Sequence, residues 1–231
     1  GITALRNFNL HTKKGEKIAV VGRTGSGKTT LAQLLLRMYD PTRGRIRLGD
    51  TDILKTSLKE LREKISYVPQ DVFLFSDTVH NNIAFGVAKA DPGRVEKAAR
   101  QAVVHQEILH FPEGYNTLIG ERGVTLSGGQ KQRISIARAL IKEPSLVIFD
   151  DCLSAVDAKT EKQIISNLNE YLNDRTAIII THRVFSLFDF DRIVVLEDGE
   201  IVEQGRHQDL LDKKGFYAAL YARQQAMEKE V

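Results

Sequence analysis

The chain has 231 residues, 42% hydrophobic and 27% charged, enough for a well-buried core in one domain or in a core with a closely attached subdomain. Its 33 Lys and Arg against 30 Asp and Glu leave a formal charge of +3 with no basic block, too little to argue for nucleic acid, and no nucleic-acid partner is expected. The single cysteine, Cys152, excludes an internal disulfide framework and suits a reducing compartment, and no apolar run reaches the roughly 18–20 residues needed to cross a bilayer.

No signal peptide opens the chain. Gly1-Ile2-Thr3-Ala4-Leu5 runs straight into structured-looking sequence, so the expectation is a piece cut from something longer. Phe8 and Leu10 alternate with polar residues and read as core. Lys17-Ile18-Ala19-Val20-Val21 reads as a short buried strand, followed at once by a glycine-rich loop over 22–27. Leu31, Leu34, Leu35 and Met38 then recur at i, i+3, i+4 and i+7, the stripe of a helix packed on one face, which Asp40-Pro41 is expected to end. Residues 45–48 form a further expected strand, with a turn at Gly49-Asp50. Ser57 and Glu60 make a capping box that opens a short helix through Leu61, and Ile65-Ser66-Tyr67-Val68 is a strand ending at Pro69-Gln70. From 78 to 143 the pattern is mainly helical, with breaks at Asp91-Pro92-Gly93 and Phe111-Pro112-Glu113-Gly114. Strands return at Leu146-Val147-Ile148-Phe149, Ala177-Ile178-Ile179-Ile180 and Ile193-Val194-Val195-Leu196, with helix between the first two. Asp198-Gly199 reads as a hairpin turn into Ile201-Val202. Strands alternating with helices around a helical insert predict an α/β core with a helical subdomain.

Gly22-Arg23-Thr24-Gly25-Ser26-Gly27-Lys28-Thr29 fits the Walker A pattern, with Thr30 directly after it. It also has the strand before and the helix after that a phosphate-binding loop requires. Glycines let successive backbone N–H groups converge on a phosphate, and the following helix offers its positive N-terminal end. Lys28 adds a point charge for the β- and γ-phosphates, and the Thr29 hydroxyl can ligate Mg²⁺. Leu146-Val147-Ile148-Phe149-Asp150 reads as the Walker B element, an apolar strand delivering a carboxylate at its C-terminal edge, where Asp150 holds Mg²⁺ through its water shell. Alone, an Asp after four apolar residues is commonplace. Beside a Walker A motif it points to a P-loop nucleotide hydrolase.

Leu126-Ser127-Gly128-Gly129-Gln130, continued by the helix-compatible run Lys131-Gln132-Arg133-Ile134-Ser135-Ile136-Ala137-Arg138-Ala139-Leu140, narrows the reading. A hydroxyl, bare N–H groups and a positive helix end make a second anion site, although Ser-Gly-Gly by itself reads equally as a helix N-cap with easing glycines. With this run, the chain resembles the ABC ATPase family over nearly its whole length. The resemblance implies a P-loop core with a mostly parallel sheet plus antiparallel strands over 1–77 and 144–231, and a helical signature subdomain over 78–143. It implies that Gln70 is the Q-loop glutamine, touching Mg²⁺ or attacking water and sensing a transmembrane partner. It further implies that Ser154-Ala155-Val156-Asp157 is the D-loop and that His182 is the switch histidine at the γ-phosphate. Gly120-Glu121-Arg122-Gly123 resembles the X-loop of exporters, and Asp77-Thr78-Val79-His80-Asn81-Asn82-Ile83 and Gly199-Glu200-Ile201-Val202-Glu203-Gln204-Gly205 are also similar to exporter sequences. The implied activity is binding and hydrolysis of ATP with Mg²⁺ at the cytoplasmic face of a membrane, coupled to a transmembrane domain. In the family, the signature loop of one ATPase domain closes over ATP held by the Walker motifs of a second, head to tail.

Two positions depart from the family pattern. After Walker B the family carries a glutamate that polarises the attacking water, and here the residue is Asp151. Its carboxylate is one C–C bond, about 1.5 Å, further back, and a misplacement near 1 Å costs roughly 100-fold in rate. The site built on this Walker B is therefore expected to be slow. Lys28, Thr29, Asp150 and His182 remain for nucleotide binding, and the intact signature can serve a partner's site. One weakened and one good half resembles the pairs of heterodimeric exporters, with a homodimer as the alternative. A mainly non-hydrolysing regulatory half and a non-transport ABC ATPase are the other readings. Against the last, no sustained heptads separate the Walker A motif from the signature, and there is one Walker A motif. The second departure is the aromatic residue that the family stacks on adenine. Nothing before Leu5 can take that part, so it is expected upstream of Gly1.

Overall fold

The apolar runs assemble into one mixed sheet buried on both faces. The computed structural model describes residues 3–120, 124–182 and 189–229, with side chains through 226. In chain order the elements are β1 (Lys17–Val21), α1 (Lys28–Leu35), the short pair β2 (Arg47–Leu48) and β3 (Thr51–Asp52), α2 (Leu58–Lys64), β4 (Ile65–Val68), β5 (Asp77–Thr78), α3 (Val79–Ala84), α4 (Pro92–Gln101), α5 (His105–Leu109), β6 (Leu118–Ile119), α6 (Gly128–Leu140), β7 (Leu146–Asp150), α7 (Ala158–Tyr171), β8 (Thr176–Thr181), β9 (Arg192–Glu197), β10 (Glu200–Gly205), α8 (His207–Asp212) and α9 (Phe216–Lys229).

The main sheet runs β10-β9-β1-β8-β7-β4. Strands β9, β1, β8, β7 and β4 are parallel, and β10 is added antiparallel by the Asp198-Gly199 hairpin, whose two turn residues have φ of 46° and 81°. This is the expected α/β fold with a mostly parallel sheet and antiparallel additions. Two short antiparallel pairs, β2 with β3 and β5 with β6, complete the β structure among the described residues.

Period-2 side-chain alternation divides the strands between two cores. Ile18, Val20, Leu146, Ile148, Ile178 and Ile180 face Leu31, Ala32 and Leu36 around α1 and Leu61 of α2, where Phe8 and Leu10 also pack as expected. Val147, Phe149, Ala177 and Ile179 face the opposite way, onto Ile134, Ile136 and Leu140 of α6 and Ile164 and Leu168 of α7. On that same face, Ala19 and Val21 of β1 meet Leu210 of α8 and Tyr217 of α9. Both faces are covered, which is why the strands read as unbroken apolar runs rather than as alternating ones.

The capping box of α2 is present in both directions: Ser57 Oγ accepts from Glu60 N at 3.2 Å, and Ser57 N donates to Glu60 Oε2 at 3.3 Å. Helix α1 stops earlier than its apolar stripe suggests. Arg37 takes a left-handed φ of 48°, with Arg37 N donating to Leu34 O and Met38 N to Gln33 O, a Schellman ending. Met38 consequently lies outside the helix and is exposed, Leu36 takes the buried position, and Asp40-Pro41 is not the stop. An arginine is tolerated where glycine is usual because its guanidinium bridges the Ile53 and Thr56 carbonyls at 2.9 and 2.7 Å. The strand expected over 45–48 is paired only at Arg47–Leu48. Helices α8 and α9 were not among the expected elements. No helix among the described residues is long and apolar enough to cross a membrane.

Candidate active site

The parallel strands end on one edge of the sheet, and the motif residues gather there. Strand β1 leads into the Walker A loop, β7 ends on Asp150, and β8 ends on Thr181 with His182 following. A cleft of ≈ 570 Å³ opens at this edge, lined by Thr24, Gly25, Gly27, Lys28, Thr29, Thr30, Gln70, Asp150, Asp151 and His182. Carboxyl ends of parallel strands are the usual ligand crevice of open α/β sheets. Thr3, Ala4, Arg6, Ile180, Thr181, Asp198 and Gly199 also line it, and the sequence marks none of these seven as a site residue. Arg6 is tied to the hairpin through its N–H to Gly199 O at 3.0 Å and an ion pair with Glu200 at 3.1 Å.

Gly22, Arg23 and Ser26 stand behind the lining and shape the loop. A Cβ on Gly22 would fall 2.1 Å from the Leu196 carbonyl oxygen, so the loop can lie against β9 only with glycine at that position. Lys28 Nζ donates to the Gly22 and Arg23 carbonyls, both at 2.8 Å, which folds the loop around the lysine. The Arg23 side chain points the other way, with its guanidinium carbon 5.2 Å from the ring centre of Phe216 in α9. Gly27 caps α1 without any side-chain hydrogen bond, leaving the first-turn N–H groups open to an anion.

Burial holds the Lys28 ammonium below its ordinary range, partly offset by Asp150 and Asp151, and pushes the Asp150 carboxyl up, partly offset by hydrogen bonds from Tyr67 and Thr29. Each charge is therefore incompletely compensated, and an anion beside Lys28 or a cation beside Asp150 relieves it. Tyr67 Oη donates to Asp150 Oδ2 at 3.1 Å, a partner not foreseen from the sequence. Asp150 offers one carboxylate, Thr29 a hydroxyl and Gln70 an amide. This oxygen set fits Mg²⁺, which takes few protein ligands and completes its shell with water and phosphate.

Asp151 has φ 46°, its N–H donates to Ile180 O at 2.8 Å, and its carboxylate lies 3.0 Å from His182 Nδ1. The Asp151 side chain is 9% exposed, the His182 side chain 54%. The two residues identified separately from their motifs thus meet at the cleft.

The signature residues Leu126, Ser127, Gly128, Gly129 and Gln130 do not reach this cleft. They form the start of α6, where Ser127 is the N-cap in a two-way capping box with Gln130, and Leu126 is buried beneath. Ser154, Ala155, Val156 and Asp157 lie between the two regions. Gln132 of α6 donates to Ser154 Oγ at 3.3 Å and accepts from Ala155 N at 3.2 Å, while Asp157 caps α7. The segment similar to an X-loop falls on Glu121, Arg122 and Gly123, which lie outside the described residues.

A family model described as "ABC transporter" matches residues 5–154. A mitochondrial iron-sulfur clusters transporter ATM1 of Gibberella zeae is 44% identical over 225 residues, covering 96% of this chain and 32% of that protein. An ATP-dependent lipid A-core flippase of Alkalilimnicola ehrlichii is 48% identical over 218 residues, covering 94% of this chain and 37% of that protein. The multidrug resistance-like ATP-binding protein MdlA of Escherichia coli is 47% identical, with 96% of this chain and 38% of that protein covered. A solved structure of a bacterial Atm1-family ABC exporter with ATP bound superposes with a TM-score of 0.92 at 43% identity, covering 96% of this chain and 39% of that one. The chain thus spans about a third of the length of the curated relatives it matches. With the family model matched across well over half of its residues, the Walker loop, Walker B strand and signature helix assembled on one fold, the chain belongs to the ABC transporter family and carries its ATP-binding domain.

Proposed function

We propose that this chain is the nucleotide-binding domain of an ABC exporter, hydrolysing ATP with Mg²⁺ in a head-to-tail pair at the cytoplasmic face of a membrane. Within it, residues 1–77 and 144–231 form the ATPase core and 78–143 the helical signature subdomain. The observation that carries the reading is the separation of two anion sites in one chain. The Walker loop opens on the cleft with Lys28, while Ser127 at the start of α6 is exposed and stands apart from it. A signature that cannot close its own cleft is suited to closing a neighbour's.

In this reading Lys28 and the first-turn N–H groups of α1 hold the phosphates of ATP, and Thr24, Gly25, Gly27 and Thr30 shape the cradle. Gly22, Arg23 and Ser26 set the loop's form from behind. Thr29, Gln70 and Asp150 hold Mg²⁺, which neutralises charge on the β- and γ-phosphates when bound. Asp151 accepts a hydrogen bond from the attacking water, and His182, hydrogen-bonded to it, faces the terminal phosphate. Leu126, Ser127, Gly128, Gly129 and Gln130 serve the partner's nucleotide, and Ser154, Ala155, Val156 and Asp157 run between the two sites. Catalysis by such a site is mainly positioning and electrostatic stabilisation, so a short carboxylate at 151 makes it slow. That favours a heterodimeric pair in which this chain supplies the weak Walker site and an intact signature. A transmembrane domain, on this chain's parent protein or on another, is the second partner.

The test is a nucleotide-trapped complex of the full-length transporter. The terminal phosphate is expected between Lys28 and a serine-glycine loop of the neighbouring ATPase domain. A triphosphate wholly enclosed by one chain would refute the reading.

A further inference from the structure

The backbone of the signature loop is held at two points, and both lead to one carboxylate on a different helix. At Ser127, the N–H donates to Gln130 Oε1 at 2.9 Å while Ser127 Oγ accepts from Gln130 N at 3.2 Å. At Gly129, the carbonyl accepts from Arg133 Nε at 3.1 Å. The far ends of both side chains converge on Glu107 of α5. Gln130 Nε2 donates to Glu107 Oε2 at 2.9 Å, and Arg133 donates to the same oxygen at 3.1 Å and to Glu107 Oε1 through its other terminal nitrogen. The same arginine reaches Val103 O at 2.8 Å, closing a turn in which that β-branched residue has a left-handed φ of 55°.

We infer that Glu107 is a positioning residue for the signature loop, setting Ser127 and Gly129 through Gln130 and Arg133. The inference rests on the reading that this loop serves a partner's nucleotide. With its Oγ already accepting from Gln130 N, Ser127 has its hydroxyl proton free to donate outward, which is what an incoming phosphate oxygen needs. The amide of Gln130 cannot rotate away, because its oxygen is held by Ser127 and its nitrogen by Glu107. The Arg133 side chain is 9% exposed and that of Glu107 40%, so the charge-assisted pair is anchored on the buried arginine, and its two-pronged contact fixes the carboxylate's orientation. Glutamate is required by this pattern. Every neighbour of the carboxylate is a donor, and a glutamine there would set its own amide against Gln130 or Arg133.

The experiment uses the full-length transporter with Glu107→Gln and, separately, Ser127→Ala. Two quantities are measured: ADP affinity of this chain's own cleft, and the ATP concentration at half-maximal turnover. Glu107→Gln is expected to leave ADP affinity within about twofold and to raise the half-maximal ATP concentration roughly tenfold, in the same direction as Ser127→Ala. If Ser127→Ala lowers turnover and Glu107→Gln does not, the inference fails while the functional reading stands. If Ser127→Ala itself is silent, the reading of the signature fails and the inference with it. Loss of ADP binding in step with turnover would make Glu107 a general fold residue and overturn the inference as well.

Discussion

Lengthening Asp151 by one methylene tests the account of the weak site most directly. Its carboxylate is now drawn to the β8 edge, 3.0 Å from His182 Nδ1, with the backbone held by a 2.8 Å bond to Ile180 O. Asp151→Glu moves the carboxylate about 1.5 Å further into the cleft. Since a misplacement near 1 Å costs roughly 100-fold, the variant is expected to gain about 10- to 100-fold in turnover at this site. The backbone works against the substitution. Asp151 has φ 46°, a conformation that aspartate adopts more readily than glutamate. The strain is expected to cost up to about 1 kcal/mol, lowering Tm by about 2–4 °C for a chain of this size. Local structure thus favours aspartate and hydrolysis favours glutamate. Phosphate release by the full-length transporter gives the first quantity and a melting curve the second. Adding Lys28→Ala isolates this site, because a gain arising here must vanish with it. An unchanged rate in Asp151→Glu, or a gain that survives Lys28→Ala, refutes the reasoning.

Three further outcomes follow from contacts away from the motifs. Tyr67→Phe removes the 3.1 Å hydrogen bond to Asp150, which is expected to raise the Mg²⁺ concentration for half-maximal turnover about tenfold, read from a Mg²⁺ titration at saturating ATP. Phe216→Ala removes the ring beneath Arg23, whose carbonyl holds Lys28, and is expected to weaken ATP binding about two- to fivefold, measured with a fluorescent ATP analogue. Arg37→Ala leaves a left-handed residue and two carbonyls without their guanidinium, and is expected to destabilise the fold by about 1.5–3 kcal/mol in thermal or urea unfolding while leaving nucleotide affinity unchanged.

Much of the site was legible because phosphate chemistry leaves few choices of residue. A loop that must present N–H groups needs glycines, and the apolar run of β7 forces Asp150 to the strand edge. What sequence could not disclose was contact between distant segments. Tyr67 reads as one more residue of a buried strand, and only the β4–β7 pairing places its hydroxyl on Asp150. Thr3, Ala4 and Arg6 carry no motif and reach the cleft because their segment lies against Gly199. The end of α1 was misplaced because a left-handed arginine gives no sequence signal, its strain being offset by carbonyls of another segment. Helices α8 and α9 pack with Phe216 and with His207, Tyr217 and Tyr221, whose polar tips blur an apolar stripe. Glu203, which caps α9 at Phe216 N and Tyr217 N, lies in the hairpin rather than beside the helix in sequence.

The same separation would let one chain combine the weakened Walker site proposed above with an intact signature. The cleft is built on the ends of β1, β7 and β8. The signature is held from α5, through contacts that include none of Lys28, Asp150 or Asp151. Shortening the side chain at 151 therefore changes the chain's own chemistry without disturbing what it presents to a neighbour. A direct tie is the segment after Asp151, where Gln132 grips Ser154 and Ala155, and where a Cβ on Gly129 would fall 3.1 Å from the Ala155 carbonyl oxygen. A side chain at Gly129 would push the Ala155 carbonyl back by a few tenths of an ångström, so this close approach favours glycine there apart from any phosphate. From Asp151 to the signature helix the packed route is short, four residues along the chain to Ala155 and one hydrogen bond across to Gln132. The carboxylate at 151 takes no part in those bonds, so in the proposed pair its length can set the rate of this chain's own site without altering the signature.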